Sequence, residues 1–204
     1  KGFLLVDSGA TYMDGTTDIT RTYPLGELTE DEKRFYTWTL QSHIDLAKAV
    51  WLDYCECKMI DTIAREPLWR HLINYRCGTG HSVSFVGNVH EGPHALNGRN
   101  TTLMCPGMIV TDEPGVYETD LVGIRIENEL VCVHKADNQY GTFLGFEPLM
   151  FVPIATSPIL PGVLDRDEIA WLNDYHRQVF AKLAPHLNDA ERVWLAEKCA
   201  AISC

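Results

Sequence analysis

The chain opens on an apolar run, Phe3-Leu-Leu-Val6, that ends at Asp7-Ser8-Gly9 and reads as a buried strand entering a turn. Met13-Asp14-Gly15 carries a hairpin-turn signature, and the Thr-rich stretch from Thr16 to Tyr23 is its return strand. Thr29-x-x-Glu32 is a capping box. The spacing behind it, through Leu40, Ile44, Leu46 and Val50, predicts a long amphipathic helix. A second helix is expected over Lys58 to Glu66, with Met59, Ile60, Ile63 and Ala64 on it and Pro67 ending or kinking it. From Gly78 to Gly98, five glycines and three histidines follow no period, which predicts loop and short strand. Gly107 to Glu113, Gly123 to Val133 and Phe146 to Ile154 read as strands. Asp165-x-x-Glu168 caps a helix with Ile169, Leu172, Val179 and Leu183 turned inward, and Asn188-x-x-Glu191 caps a last one. Strands and helices without strict βαβ alternation predict an α+β fold.

Composition adds bounds. At 204 residues, 46% hydrophobic and 22% charged, the chain can bury a core as one domain with a short appendage. The formal net charge of −11 argues against nucleic acid or an anionic membrane as partner, since both need a basic face. No apolar run approaches the roughly 20 residues that span a bilayer. Seven cysteines, an odd number without a Cys-x-x-Cys pair, argue against a disulfide framework and for a reducing cytoplasm. The start at Lys1, straight into a strand, suggests a piece of a longer chain.

Five residues stand out because they sit at strand ends or beside glycine turns: Asp7, Asp18, His81, Glu113 and Glu127. A hairpin can bring Asp7 and Asp18 together. Glu127 lies within Ile124-Arg-Ile-Glu-Asn, where an unpaired carboxylate is costly to bury. Taken singly, each is an ordinary turn or capping residue; the argument rests on the set. Four converging carboxylates repel one another, and two divalent cations remove that repulsion. Oxygen donors with one imidazole suit Mn²⁺ best, with Co²⁺, Zn²⁺ or Fe²⁺ as substitutes.

Five ordered motifs then resemble aminopeptidase P, of the pita-bread metallopeptidase family that also holds prolidase and methionine aminopeptidase. They are Asp7-Ser-Gly-Ala-x-Tyr-x-Asp-Gly-Thr-Thr-Asp18-Ile-Thr-Arg-Thr, Gly78-Thr-Gly-His81, Asn88-Val-His90-Glu-Gly-Pro93, Thr111-Asp-Glu113-Pro-Gly115 and Gly123-Ile-Arg-Ile-Glu127-Asn128. Phe146-Glu-Pro-Leu and Trp171-Leu-Asn-Asp-Tyr-His176 resemble the C-terminal extension of the family's long type. The resemblance implies a pita-bread fold lacking its upstream part, with residues 1–155 the metal-binding portion and 156–204 a helical extension. It implies a dinuclear centre in which Asp7 holds one metal, His81 and Glu113 the other, and Asp18 and Glu127 bridge both. The implied reaction removes the residue before an N-terminal proline. Glu113 is then the proton shuttle, His90 the partner of the substrate carbonyl, and Arg125 a support for the bridging glutamate. A peptide with proline second is the expected partner, and the long type is often a homodimer. One departure is Cys77, four residues before His81, where relatives commonly carry histidine; a thiol is a weaker hydrogen-bonding group. Alternatives are a prolidase-like dipeptidase, an inactive fragment, and a non-catalytic pita-bread module.

Overall fold

A two-residue reversal at Met13-Asp14 joins β1 (Phe3–Tyr12) to β2 (Gly15–Pro24) in an antiparallel ladder, with Gly15 in the positive-φ region that the turn needs. The computed structural model describes residues 1–203. β1 does not stop at Asp7 as the Ser-Gly dipeptide suggested. It runs on to Tyr12, because Gly9 is where the hairpin closes most tightly: a Cβ there would lie 2.3 Å from the Thr17 carbonyl oxygen.

Helix α1 (Glu30–Ala47) forms as expected, with both halves of the Thr29–Glu32 capping box in place. It ends before Val50. Val50–Leu52 is instead a short strand, β3, whose Trp51 is buried against Phe146 with ring centroids 4.5 Å apart. Helix α2 (Cys57–Trp69) runs through Pro67 rather than breaking there. Pro67 and Leu68 are buried, and the Arg70 N–H still donates to the Glu66 carbonyl, so packing holds the last turn. The glycine-rich stretch contributes only the short pair β4 (Gly80–His81) and β5 (Ala95–Leu96).

The next strands are β6 (Ile109–Asp112), β7 (Gly115–Glu118), β8 (Val122–Arg125), β9 (Asn128–Asn138) and β10 (Gly141–Pro148). The single strand expected over 123–133 is therefore two. The chain breaks at Ile126-Glu127, where the Glu127 N–H turns to the Thr20 carbonyl of β2. β8 then pairs with β7, while β9 pairs with β6 and β10. The strand expected at Phe146–Ile154 also shifts toward the N-terminus. Pro148 ends it, and the Val152 and Pro153 carbonyls accept from Arg21 instead of a ladder partner. Helix α3 (Arg166–Leu183), a 3₁₀ turn at Ala184–His186 and α4 (Asp189–Lys198) close the described chain, and the capping boxes at Asp165 and Asn188 are both formed.

The largest sheet has the order β3-β10-β9-β6. Ile60 and Ala64 of α2 share one apolar cluster with Val110, Leu130 and Leu144 of that sheet. A second apolar cluster joins Tyr36, Leu40 and Ile44 of α1, Ile124 of β8, and Leu172, Tyr175 and Val179 of α3. Each such side chain, once buried, contributes roughly 1.5–3 kcal/mol. No helix of the described residues is long and apolar enough to cross a membrane.

Candidate metal centre

Register decides which face the acids take. In the β1–β2 ladder Asp7 lies opposite Thr20 and Gly9 opposite Asp18, so Asp7 and Asp18 sit diagonally on one face. His81 ends β4, pressed against β6: a Cβ on Gly80 would lie 1.8 Å from the Thr111 carbonyl oxygen, so only glycine allows this approach. The His81 backbone N–H donates to the Thr111 hydroxyl at 2.9 Å, and that hydroxyl donates to Glu113 Oε1 at 2.9 Å. Glu127 enters from the break between β8 and β9 and is 1% exposed.

All five predicted donors line one cleft of about 480 Å³, together with His90. Within it, ligand atoms of Asp18, His81 and Glu127 lie within 4.8 Å of one another. His81 Nε2 is 3.1 Å from Glu113 Oε1 and 3.5 Å from Asp18 Oδ2. Its Nδ1 faces the Ser82 carbonyl at 3.1 Å, which leaves Nε2 turned to the acids. Asp7 is the outlying member: half exposed, it pairs with Arg125 Nη2 at 2.5 Å. Arg125 also donates to the Tyr117 hydroxyl and, from Nε, to Thr20 Oγ1 at 3.0 Å. It lies 3.9 Å from both Glu113 and Glu127. The His90 ring packs edge-on against His81, centroids 3.9 Å apart. The Cys77 thiol lies 3.7 Å from the Gly115 carbonyl oxygen, its pKa raised by burial and then by the Glu113 charge.

Protonation reports the crowding. Burial, and then the Glu113 charge, push Glu127 up to about 8 against the pull of the Thr20 hydroxyl. Burial and the Asp7 charge likewise raise Asp18. Burial alone would lower His81, but its hydrogen bond to Glu113, the Ser82 carbonyl and the charges of Glu113 and Asp18 outweigh it. Glu127 Oε1 is buried without a hydrogen-bond partner. Four carboxylates and one imidazole, with an orphaned oxygen among them, fit hard divalent cations: bound positive charge would ionise the acids and take up the free lone pairs.

Three contributors went unnoticed in the sequence: Thr20, Thr111 and Tyr117. Thr20 and Thr111 each lie two residues from a donor, Asp18 and Glu113, and so share its strand face. The period of two could have found both. Tyr117 carries no such signal.

Fold and donors together define a class, a candidate metal centre of carboxylates and one imidazole set between strand ends. The chain belongs to metallopeptidase family M24, whose family model matches residues 1–134; a second model, for the C-terminal region of peptidase M24, matches residues 142–202. It has the pita-bread fold of those enzymes. Aminopeptidase P1 of Lotus japonicus is 45% identical over 94% of this chain, and aminopeptidase P2 of Arabidopsis thaliana 46% over 94%. This chain spans 30% and 28% of their lengths. Among solved structures it resembles the X-prolyl aminopeptidase of Caenorhabditis elegans, a cytosolic enzyme with a di-nuclear active site, at 39% identity and a TM-score of 0.93. That match covers 98% of this chain and 34% of the nematode one. Prolidase from Pyrococcus furiosus matches at 27% identity and a TM-score of 0.63, over 74% of this chain and 41% of its own.

Proposed function

We propose that this chain carries the dinuclear centre of an Xaa-Pro aminopeptidase, which hydrolyses the bond before a proline in second position and releases the first residue. The observation that carries the reading is the convergence of Asp7, Asp18, His81, Glu113, Glu127 and His90 on one cleft. The similarity to aminopeptidases P over nearly the whole chain supports it. Asp7 would hold one cation, His81 and Glu113 the other, and Asp18 and Glu127 both. Mn²⁺ suits the donors best. When bound, the cations supply the Lewis acidity that makes water a nucleophile near neutral pH.

The chain's own residues then do the rest. Glu113 accepts the proton of the attacking water and delivers it to the departing proline nitrogen. His90 donates to the oxygen that gains negative charge as the carbonyl is attacked. Arg125 keeps Asp7, Thr20 and Tyr117 in place around the reacting groups. On the same reading residues 1–155 are the metal-binding portion and 156–204 the C-terminal extension, and the enzyme is cytoplasmic and acts on peptides, as a homodimer like the long type.

The test pairs metal analysis of the purified chain with release of the first residue from an Xaa-Pro-Xaa tripeptide in added Mn²⁺. Two Mn²⁺ per chain and cleavage of the tripeptide are expected. Turnover of Xaa-Pro dipeptides alone would transfer the assignment to prolidase, and absence of bound metal would end it.

A further inference from the structure

Behind the cleft lies a polar cluster that the reaction does not use. Asp112 and Asn128 are register partners, the last residue of β6 and the first of β9. The residue after Asp112 is Glu113, and the residue before Asn128 is Glu127. Because side chains alternate along a strand, Glu113 and Glu127 turn to the cleft while Asp112 and Asn128 turn the other way, toward α1. There they meet one side chain, His43, which with both of them is wholly buried.

The hydrogen bonds fix the orientation of every member. Arg21 Nη2 donates to Asn128 Oδ1 at 2.7 Å, and the Tyr175 hydroxyl lies 3.1 Å from the same oxygen. The Asn128 oxygen is thereby claimed, so its Nδ2 is the atom 3.3 Å from His43 Nε2. Nδ2 can only donate, so Nε2 must present a lone pair. The imidazole proton is then on Nδ1, which faces Asp112 Oδ2 at 3.1 Å and the Asp112 carbonyl oxygen at 3.2 Å. The Asp112 carbonyl is the acceptor by hydrogen-bond geometry, and neither carboxylate oxygen of Asp112 has a hydrogen-bond partner. Arg21 also donates from Nη1 to the Glu127 carbonyl oxygen at 2.5 Å. His43 thus ties together two strand ends that each carry a ligand one residue away.

We infer that His43, held as the neutral Nδ1–H tautomer by Asn128, is a positioning residue for the metal centre: it locks β6 to β9 so that Glu113 and Glu127 stand at a fixed separation. This rests on the metal-centre reading above and extends it to a residue that touches neither metal nor substrate. Leucine at 43 would fill the space and remove the side-chain link, leaving the two strand ends held by the backbone ladder alone. Glutamine would restore the link, its amide donating to Asp112 and its oxygen accepting from Asn128.

Two measurements test this on the chain as it stands. The first is ¹⁵N-histidine NMR, which distinguishes the tautomers without metal. His43 protonated on Nδ1 alone is expected; protonation on Nε2, alone or with Nδ1, overturns the inference. The second is calorimetric Mn²⁺ titration of wild type, His43→Leu and His43→Gln, with thermal melts confirming the fold. Hydrogen-bond partners of metal ligands typically change affinity about 10–100-fold when removed, and His43, one residue away from each ligand, is expected at the lower end of that range. We expect the Kd to rise about tenfold or more in His43→Leu and to stay within about threefold of wild type in His43→Gln. A folded His43→Leu with wild-type affinity sinks the inference. Should that variant fail to fold, Asn128→Ala takes its place with the same loss expected, since it removes the donor to Nε2 and keeps the contact to Asp112. Wild type that binds no Mn²⁺ refutes the metal centre itself, an outcome distinct from unchanged affinity in the variants.

Discussion

Two buried side chains set the behaviour of this protein at the level of single residues. His176 of α3 accepts from the Ile154 backbone N–H at 3.1 Å, and burial, with the Arg21 charge, pulls its pKa down to about 4. The unfolded chain therefore binds a proton at this position between about 6.5 and 4 that the folded chain refuses, so stability falls as pH drops through that window. The loss is on the order of 3 kcal/mol by pH 4. Urea unfolding of His176→Gln should show a flatter acid limb than wild type, because the amide can accept the same N–H without titrating. Glu127 is the second. With its pKa at about 8 in the metal-free fold, it is largely protonated at neutral pH, and Gln mimics that state. Glu127→Gln should hold fewer than two Mn²⁺ by elemental analysis, while its metal-free stability stays within about 1 kcal/mol of wild type.

Secondary-structure elements place the donors, and their closest approaches are made by glycine. Gly80 lets β4 lie against β6, with no room for a methyl group before the Thr111 carbonyl. Gly80→Ala must push the two strands apart, displacing His81 from Asp18 and Glu113. A cost of about 1–3 kcal/mol in urea unfolding is expected, together with weaker Mn²⁺ binding. Much at this level was legible in the sequence. The capping boxes at Thr29, Asp165 and Asn188 are local patterns, and each gave a helix start that the fold keeps. The five candidate donors were legible only as a set, because each alone is an ordinary turn or capping residue and only their recurrence in ordered motifs set them apart. What failed was decided by distant contacts. Pro67 stays helical because the core buries it. The run from Gly123 to Val133 splits because Glu127 turns to Thr20, more than a hundred residues earlier in the chain. Asp7 pairs with Arg125, a contact no local pattern announces.

Across the whole molecule, the C-terminal helix shares one apolar cluster with α1 and β8, so residues beyond 155 are packed into the same core as the strand that leads to Glu127. Leu172, fully buried there, should cost about 2–5 kcal/mol when cut to alanine. The unfolding should remain a single transition, with tryptophan fluorescence and circular dichroism coinciding. Two separate transitions would mean that α3 folds apart from the centre.

The donors span the chain from Asp7 to Glu127, and no two of them are neighbours in sequence. No nascent helix or isolated hairpin can gather all five, and contacts between distant segments are the slow ones to form. On the proposed metal-centre reading, capture of the cations would come at the end of folding, and a stopped-flow record of refolding in Mn²⁺ should show metal uptake in the final kinetic phase.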